Sequence, residues 1–183
     1  MMSNLSMSDI ILLLGGNLGD RYAYLQKATA AIQNHIGEII EVSAIYETAC
    51  WGGDQQPDYL NQALRVQSGL LPEQVLDQAL RIEAELGRIR TRIWEPRVMD
   101  IDLIFYDRLV YQSDRLILPH PRITVRKFVL VPLVELIPHY VHPVYKKSII
   151  ELFHACSDAS AVRYWMPHTR VSPSETPALI PTS

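Results

Sequence analysis

Apolar and polar positions change period several times along this chain, and each change predicts an element. "IILLLGGNLGD" (10–20) opens with five apolar residues and predicts a buried strand running into a Gly-rich turn. Asp20 is placed to cap the next helix, where Leu25, Ala28, Ile32 and Ile36 recur at helical spacing and Gly37 suits the stop. "EVSAIYETA" (41–49) and "PDYLNQALRVQS" (57–68) read as strands. In the second, Leu60, Leu64 and Val66 share one face, and Tyr59, Asn61 and Arg65 share the other. Pro72 opens a second helix with a stripe of Val75, Ala79, Ile82 and Leu86, and Gly87 follows its end. "RIRTRIW" (88–94) is basic and aperiodic, which predicts a loop.

"WEPRVMDIDLIFYD" (94–107) breaks the pattern of an ordinary buried strand. Met99, Ile101, Leu103 and Phe105 alternate as an apolar face, while Asp100 and Asp102 stand between them. Residues two apart in a strand project to the same side, so the two carboxylates lie roughly 7 Å apart along the backbone. The order so far, β-α-β-β-α-β, is that of a ferredoxin-like split β-α-β sheet, an α+β fold. Its two helices lie on one face. The expectation is that Met99, Ile101, Leu103 and Phe105 meet those helices, and that the aspartates, with Tyr59 and Asn61, look out of the opposite face and form a site there. Beyond the strand, "YDRLVYQ" predicts a hairpin, "KFVLVPLVELIP" a short helix opening near Val131 or Pro132, and 146–155 another.

With 183 residues, 48% of them apolar, the chain suits one domain with a sizeable core. That domain is expected over 1–166. The stretch 167–183, with Pro, Ser and Thr but no Phe, Tyr or Trp, is expected to be a disordered tail. A net charge of −3 gives no global field for nucleic acid or an anionic membrane. No apolar run approaches the ~18 residues of a membrane span, and the first residues carry no signal-peptide pattern. Cys50 and Cys156 stand apart without metal-ligand spacing, which fits a reducing cytoplasm.

The aspartates sit among cations: Arg88, Arg90, Arg92 and Arg97 upstream, His120, Arg122, Arg126 and Lys127 downstream. Such a group either forms ion pairs or holds Mg²⁺, a hard ion that takes one or two carboxylates plus phosphate oxygens, with arginines gripping the rest of a polyphosphate. "GGNLGD" is neither G-x-G-x-x-G nor a Walker loop and reads first as a tight turn, so any ATP site here is not of the P-loop kind. Glu83, near the end of the second helix, is either a surface charge or an acceptor for a ribose or for Arg88. His120, stiffened between two prolines, is either a turn residue or an imidazole aimed at phosphate, and Trp94 ends the basic loop.

Four blocks in register resemble the 6-hydroxymethyl-7,8-dihydropterin pyrophosphokinase family: "LLLGGNLGD", "IYETACWGGDQQPDYLNQAL", "IEAELGRIRTRIWEPRVMDIDLIFYD" and "LPHPRITVRKFVLVPLVELIP". They span roughly residues 10 to 140. The resemblance implies a cytoplasmic, monomeric enzyme of folate biosynthesis. It would transfer a diphosphate from ATP to the pterin hydroxymethyl group with two Mg²⁺ ions and release AMP. It implies Asp100 and Asp102 as metal ligands, and Arg88 and Arg97 as catalytic cations beside the transferred group. Glu83, Arg90, Trp94, Arg115, His120 and Arg126 would bind ATP. Thr48, Cys50, Trp51, Gly52, Tyr59, Asn61 and Phe128 would form the pterin pocket. Gly16, Glu95 and Pro121 depart from the family pattern, Pro121 standing where a tyrosine often follows the histidine.

The chief alternative is a ferredoxin-like nucleotide- or nucleic-acid-binding module without catalysis. Such modules stack bases on sheet aromatics, yet here the exposed face would carry two carboxylates and the first strand has no aromatic residue.

Overall fold

The computed structural model describes residues 7–49, 57–87 and 98–166. Cys50, Trp51, Gly52, Arg88, Arg90, Trp94, Arg97 and the stretch 167–183 lie outside the described residues.

The apolar run at 10–14 becomes β1 (Ser8–Gly16), which is buried on both faces and paired on both sides. α1 (Arg21–His35) follows, capped by Asp20, whose carboxylate accepts the Ala23 N–H at 3.0 Å. The predicted strand at 41–49 is two strands, β2 (Glu38–Val42) and β3 (Ile45–Thr48), both paired with β4 (Tyr59–Ser68). The break at Ser43 is held by exchange with Ala63: Ser43 N–H donates to the Ala63 carbonyl, and Ala63 N–H donates to Ser43 Oγ. α2 (Pro72–Glu85) and β5 (Asp100–Tyr106) complete the motif. The antiparallel order β5-β1-β4-β3, with β2 also on β4, is the ferredoxin-like one.

Further along come β6 (Tyr111–Gln112), β7 (Ile117–Leu118), α3 (Lys127–Leu136), α4 (Ile149–Ala155) and β8 (Val162–Trp165). β8 extends the sheet beyond β3; sequence periodicity gave no sign of so short a strand. The hairpin expected at "YDRLVYQ" is displaced. Asp107 adopts φ 44 in a turn, and β6 pairs with β7 across residues 113–116 instead. α3 begins four residues before the expected opening at Val131, and Pro132 lies inside it. That proline cannot donate to the Phe128 carbonyl, one lost bond in a helix that buries Val129, Leu130 and Leu133. Its first N–H, from Lys127, is instead fixed by the Asp158 carboxylate at 2.9 Å.

Two apolar layers result. On one face Leu25, Ala28 and Ile32 of α1 and Val75, Ala79 and Ile82 of α2 pack on Ile10, Leu12, Leu14, Leu60 and Leu64. On the other, α3 and α4 cover Ile11, Leu13 and Ala63. The face opposite α1 and α2 is therefore roofed over part of its extent. Phe105 corrects the alternation expected of β5. The register shifts between Ile11 and Leu12, leaving Ile104 as the extra residue of a bulge. Met99, Ile101 and Leu103 meet α1 and α2, but Ile104 and Phe105 both join the α3–α4 layer, and the Phe105 ring lies 4.6 Å from that of Tyr140.

Gly37 and Gly87 end helices for different reasons. Gly87 has φ +96 and open space around it, the left-handed stop that favours glycine. Gly37 has no such φ; a Cβ there would come within 2.1 Å of the Gln67 carbonyl oxygen, so close approach to β4 requires it.

Candidate active site

Strand register assembles the site from four neighbouring strands. Asp100 on β5 pairs with Gly15 on β1, Gly15 with Asn61 on β4, and Asn61 with Tyr46 on β3. Paired residues project to the same face, here the one that carries α3, so these side chains form one row. Asp102, paired with Leu13, stands in the next row. At a strand spacing of about 4.8 Å, the Cα atoms of Asp100 and Asn61 are roughly 10 Å apart. Both aspartates are half-buried.

Asn61 and Thr48 are 3% exposed, and Asn61 Nδ2 donates to Thr48 Oγ1 at 3.1 Å. That bond fixes the plane of the amide. Gly15 lies beneath it, where a Cβ would come 3.0 Å from Asn61 Oδ1. Thr48 pairs with Tyr59, which shares the Asn61 face. Tyr46 donates to the Glu135 carboxylate at 2.9 Å, and the same carboxylate accepts the Ala44 N–H; burial and that carboxylate push the Tyr46 phenol up to about 12. Glu135 thereby seats α3 on the sheet. The N-terminus of α3 brings Phe128, and Arg126 lies with its guanidinium 5.7 Å from the Phe128 ring centroid.

His120 is tied to the outer edge of β5, its N–H donating to the Ile104 carbonyl at 3.0 Å. Burial lowers its pKa to about 4; the Arg126 and Arg122 charges act in the same direction, and Asp100 opposes them. His120, Arg126, Arg122 and Asp100 are thus electrostatic neighbours, with a neutral imidazole at neutral pH. Arg122 adopts φ 85, unusual for a residue with a Cβ.

Glu83 is 2% exposed, not a surface charge, and its Oε1 accepts the Ile101 N–H at 2.8 Å. A helix carboxylate therefore anchors the edge strand between the two aspartates. Arg115 stands on the β6–β7 hairpin, ion-paired with Asp77 and with Glu73 of α2. Of the residues expected in the site, the structure groups Asp100, His120 and Arg126, with Asp102 on the same strand and Phe128 beside Arg126, and separately groups Thr48, Tyr59 and Asn61. Sequence reading counted Arg122 among the cations near the aspartates without giving it a role, and passed over Asn17, Arg21 and Glu135. Asn17 and Arg21 stand in the "GGNLGDR" stretch, a visible signal; Glu135 gave none.

Among the described residues no three His, Cys, Asp or Glu converge as a metal cage. Two carboxylates on one strand face nevertheless suit Mg²⁺, which keeps its other positions for water and substrate phosphates. No helix is long and apolar enough to cross a membrane among the described residues.

Residues 11–138 match the family model described as 7,8-dihydro-6-hydroxymethylpterin-pyrophosphokinase (HPPK). The chain is 37% identical over 145 residues to the 2-amino-4-hydroxy-6-hydroxymethyldihydropteridine pyrophosphokinase of Aquifex aeolicus, covering 79% of this chain and 90% of that one. The similarly named protein of Synechocystis is 41% identical over 150 residues, covering 81% and 76%. Among solved structures, wild-type Plasmodium falciparum HPPK-DHPS superposes with a TM-score of 0.66 at 16% identity, a likeness of fold. That match covers 82% of this chain and 45% of the other, so the chain spans under half the length of the solved protein.

Proposed function

The chain belongs to the 7,8-dihydro-6-hydroxymethylpterin-pyrophosphokinase family, and from that premise we propose how its residues share the work. It is a diphosphotransferase of folate biosynthesis. It uses ATP and 6-hydroxymethyl-7,8-dihydropterin, moving the diphosphate to the pterin hydroxymethyl group and releasing AMP. The observation that carries the division of labour is the row Asp100–Gly15–Asn61–Tyr46. A carboxylate suited to metal and an amide suited to a heterocycle edge lie on one face of the sheet, roughly 10 Å apart.

In this reading Asn61 meets the polar edge of the pterin, since a primary amide both donates and accepts. Thr48 takes one of its N–H groups and holds the plane. Tyr59 and Phe128 flank the ring, with Cys50, Trp51 and Gly52 completing the pocket. Asp100 and Asp102 would hold two Mg²⁺ ions, which would supply charge neutralisation for diphosphate transfer. His120 and Arg126 grip phosphates from the β5 edge, and the family resemblance assigns Arg88 and Arg97 to neutralising the transferred group. Arg90, Arg115 and Trp94 assist the nucleotide. Glu83 acts through β5, fixing the backbone from which both aspartates project. The pterin hydroxyl oxygen attacks the β-phosphorus and gives up its proton to water, the bond from that phosphorus to the α–β bridging oxygen breaks, and AMP leaves with the electron pair.

The free Cys156 supports a cytoplasmic setting, and the stretch 167–183 is assigned no catalytic part. The deciding experiment is chromatography of nucleotides after incubation with ATP, Mg²⁺ and the pterin alcohol. AMP should appear in step with pterin diphosphate and only with metal. ADP as the main product would overturn the reading, and unchanged turnover in Asn61→Ala would remove the pterin assignment.

A further inference from the structure

The Gly-rich turn after β1 binds no phosphate in the scheme above, yet two of its side chains are committed to one place. Asn17 is 1% exposed, and its Nδ2 donates to the Pro57 carbonyl at 3.2 Å. Arg21 Nη1 donates to the Asp58 carbonyl at 2.6 Å and to Glu47 Oε1 at 2.9 Å. Glu47 stands in β3 beside Thr48, while Pro57 and Asp58 lead directly into Tyr59 of β4. Thr48 and Tyr59 are themselves a cross-strand pair.

We propose that Asn17 and Arg21 form a clamp that positions the pterin-side ends of β3 and β4 from behind the sheet. Glu47, between Tyr46 and Thr48, projects to the α1 face, so Arg21 grips the strands on the side away from the pterin. It is a positioning residue and does not touch substrate.

Arg21 is the first residue of α1, where the helix dipole disfavours a cation, and no acidic residue offsets it in that first turn. A position so unfavourable locally is held by its two tertiary acceptors. The turn is shaped to deliver it. Gly19 takes φ +64, and Asp20 caps the helix, so Arg21 emerges towards the β3–β4 end. The side chains of Arg21 and Glu47 are about a quarter exposed, enough shelter for a charge-assisted bond to hold its geometry. With the clamp lost, Thr48 and Tyr59 shift relative to Asn61, and the pterin pocket loosens while the Asp100–His120 side keeps its own supports.

The inference rests on the pterin assignment of Asn61 and its neighbours, and the test separates the two. Arg21→Gln, Arg21→Lys, Glu47→Gln and the Arg21→Gln/Glu47→Gln pair are compared with Asn61→Ala. The readouts are KM for pterin, kcat, Kd for a non-hydrolysable ATP analogue with Mg²⁺, and Tm. Arg21→Gln should raise the pterin KM about tenfold, with kcat and the analogue Kd each within about twofold. Arg21→Lys, which keeps a charged donor, should recover part of that loss. The double variant should be no worse than the more impaired single variant, because both remove the same contact. Equal losses for pterin and analogue in proportion to Tm would mean a purely structural role and overturn the clamp. A raised pterin KM in Asn61→Ala with none in Arg21→Gln would overturn it alone. An unchanged pterin KM in Asn61→Ala would sink the pterin assignment and the clamp's purpose with it.

Discussion

Gly15→Ala probes the centre of the site with one methyl group. Gly15 does not have a positive φ, so alanine fits the backbone, and the added Cβ decides the outcome. It would come 3.0 Å from Asn61 Oδ1, where ordinary contact begins at 3.4 Å, so the amide must give by a few tenths of an ångström. Asn61 is confined between Gly15 on one side and Thr48, at 3.1 Å, on the other. Any rotation or slide bends or compresses that buried bond, a loss of about 1 kcal/mol. Replacing glycine by alanine also restricts the unfolded chain, which returns about 0.4–1 kcal/mol. Net stability should therefore barely move, with Tm within about 3 °C of wild type. Pterin affinity has no such compensation, and a displaced amide should weaken it roughly five- to tenfold. The assay is titration of the pterin in the presence of a non-hydrolysable ATP analogue, with the analogue titrated alone as control. Unchanged pterin affinity in Gly15→Ala, with a clear loss in Asn61→Ala, would refute the claim that Gly15 sets the amide's position.

Asp100→Asn and Asp102→Asn should each lower turnover on the order of a hundredfold or more without lowering Tm, read by rate assay and thermal melt. Wild-type rates in either would remove the metal assignment. His120, with its pKa lowered to about 4 against 6.5 unfolded, takes up a proton less readily when folded. Its effect on stability is nil above about pH 6.5, and stability is lost as pH falls towards 4, by up to about 3 kcal/mol. Buried His142, also lowered, adds in the same direction, so His120→Gln should flatten the slope of Tm between pH 6.5 and 4 only in part. Gly37→Ala should lower Tm by more than about 6 °C, because its Cβ would come within 2.1 Å of backbone oxygen; a wild-type melt would mean that α1 and β4 separate readily. Ending the chain after Met166 should leave turnover unchanged in a rate assay, since 167–183 contains no Phe, Tyr or Trp.

Periodicity was enough for the helices and strands whose apolar residues face one layer. α1, α2 and β4 stand where spacing put them, because burying one stripe is a local property of the sequence. The two aspartates on one strand were legible for the same reason: a carboxylate breaking an apolar alternation shows without any partner. Tertiary structure decided what depends on a second segment. The bulge at Ile104 turned Phe105 onto α3 and α4, which the alternation of β5 alone could not foretell. α3 starts at Lys127 because Asp158, from the far end of the chain, accepts its N–H. Glu83 stood open in the sequence between a surface charge and an acceptor for a ribose or for Arg88; only β5 placed the Ile101 N–H against it. Register across β5, β1, β4 and β3 made a site of Asp100, Gly15 and Asn61, residues up to 85 positions apart. Each of these depends on a contact between distant parts of the chain. Such contacts are fixed by packing and hydrogen-bond satisfaction over the whole fold, and a one-dimensional pattern carries only the half of each that lies in its own segment.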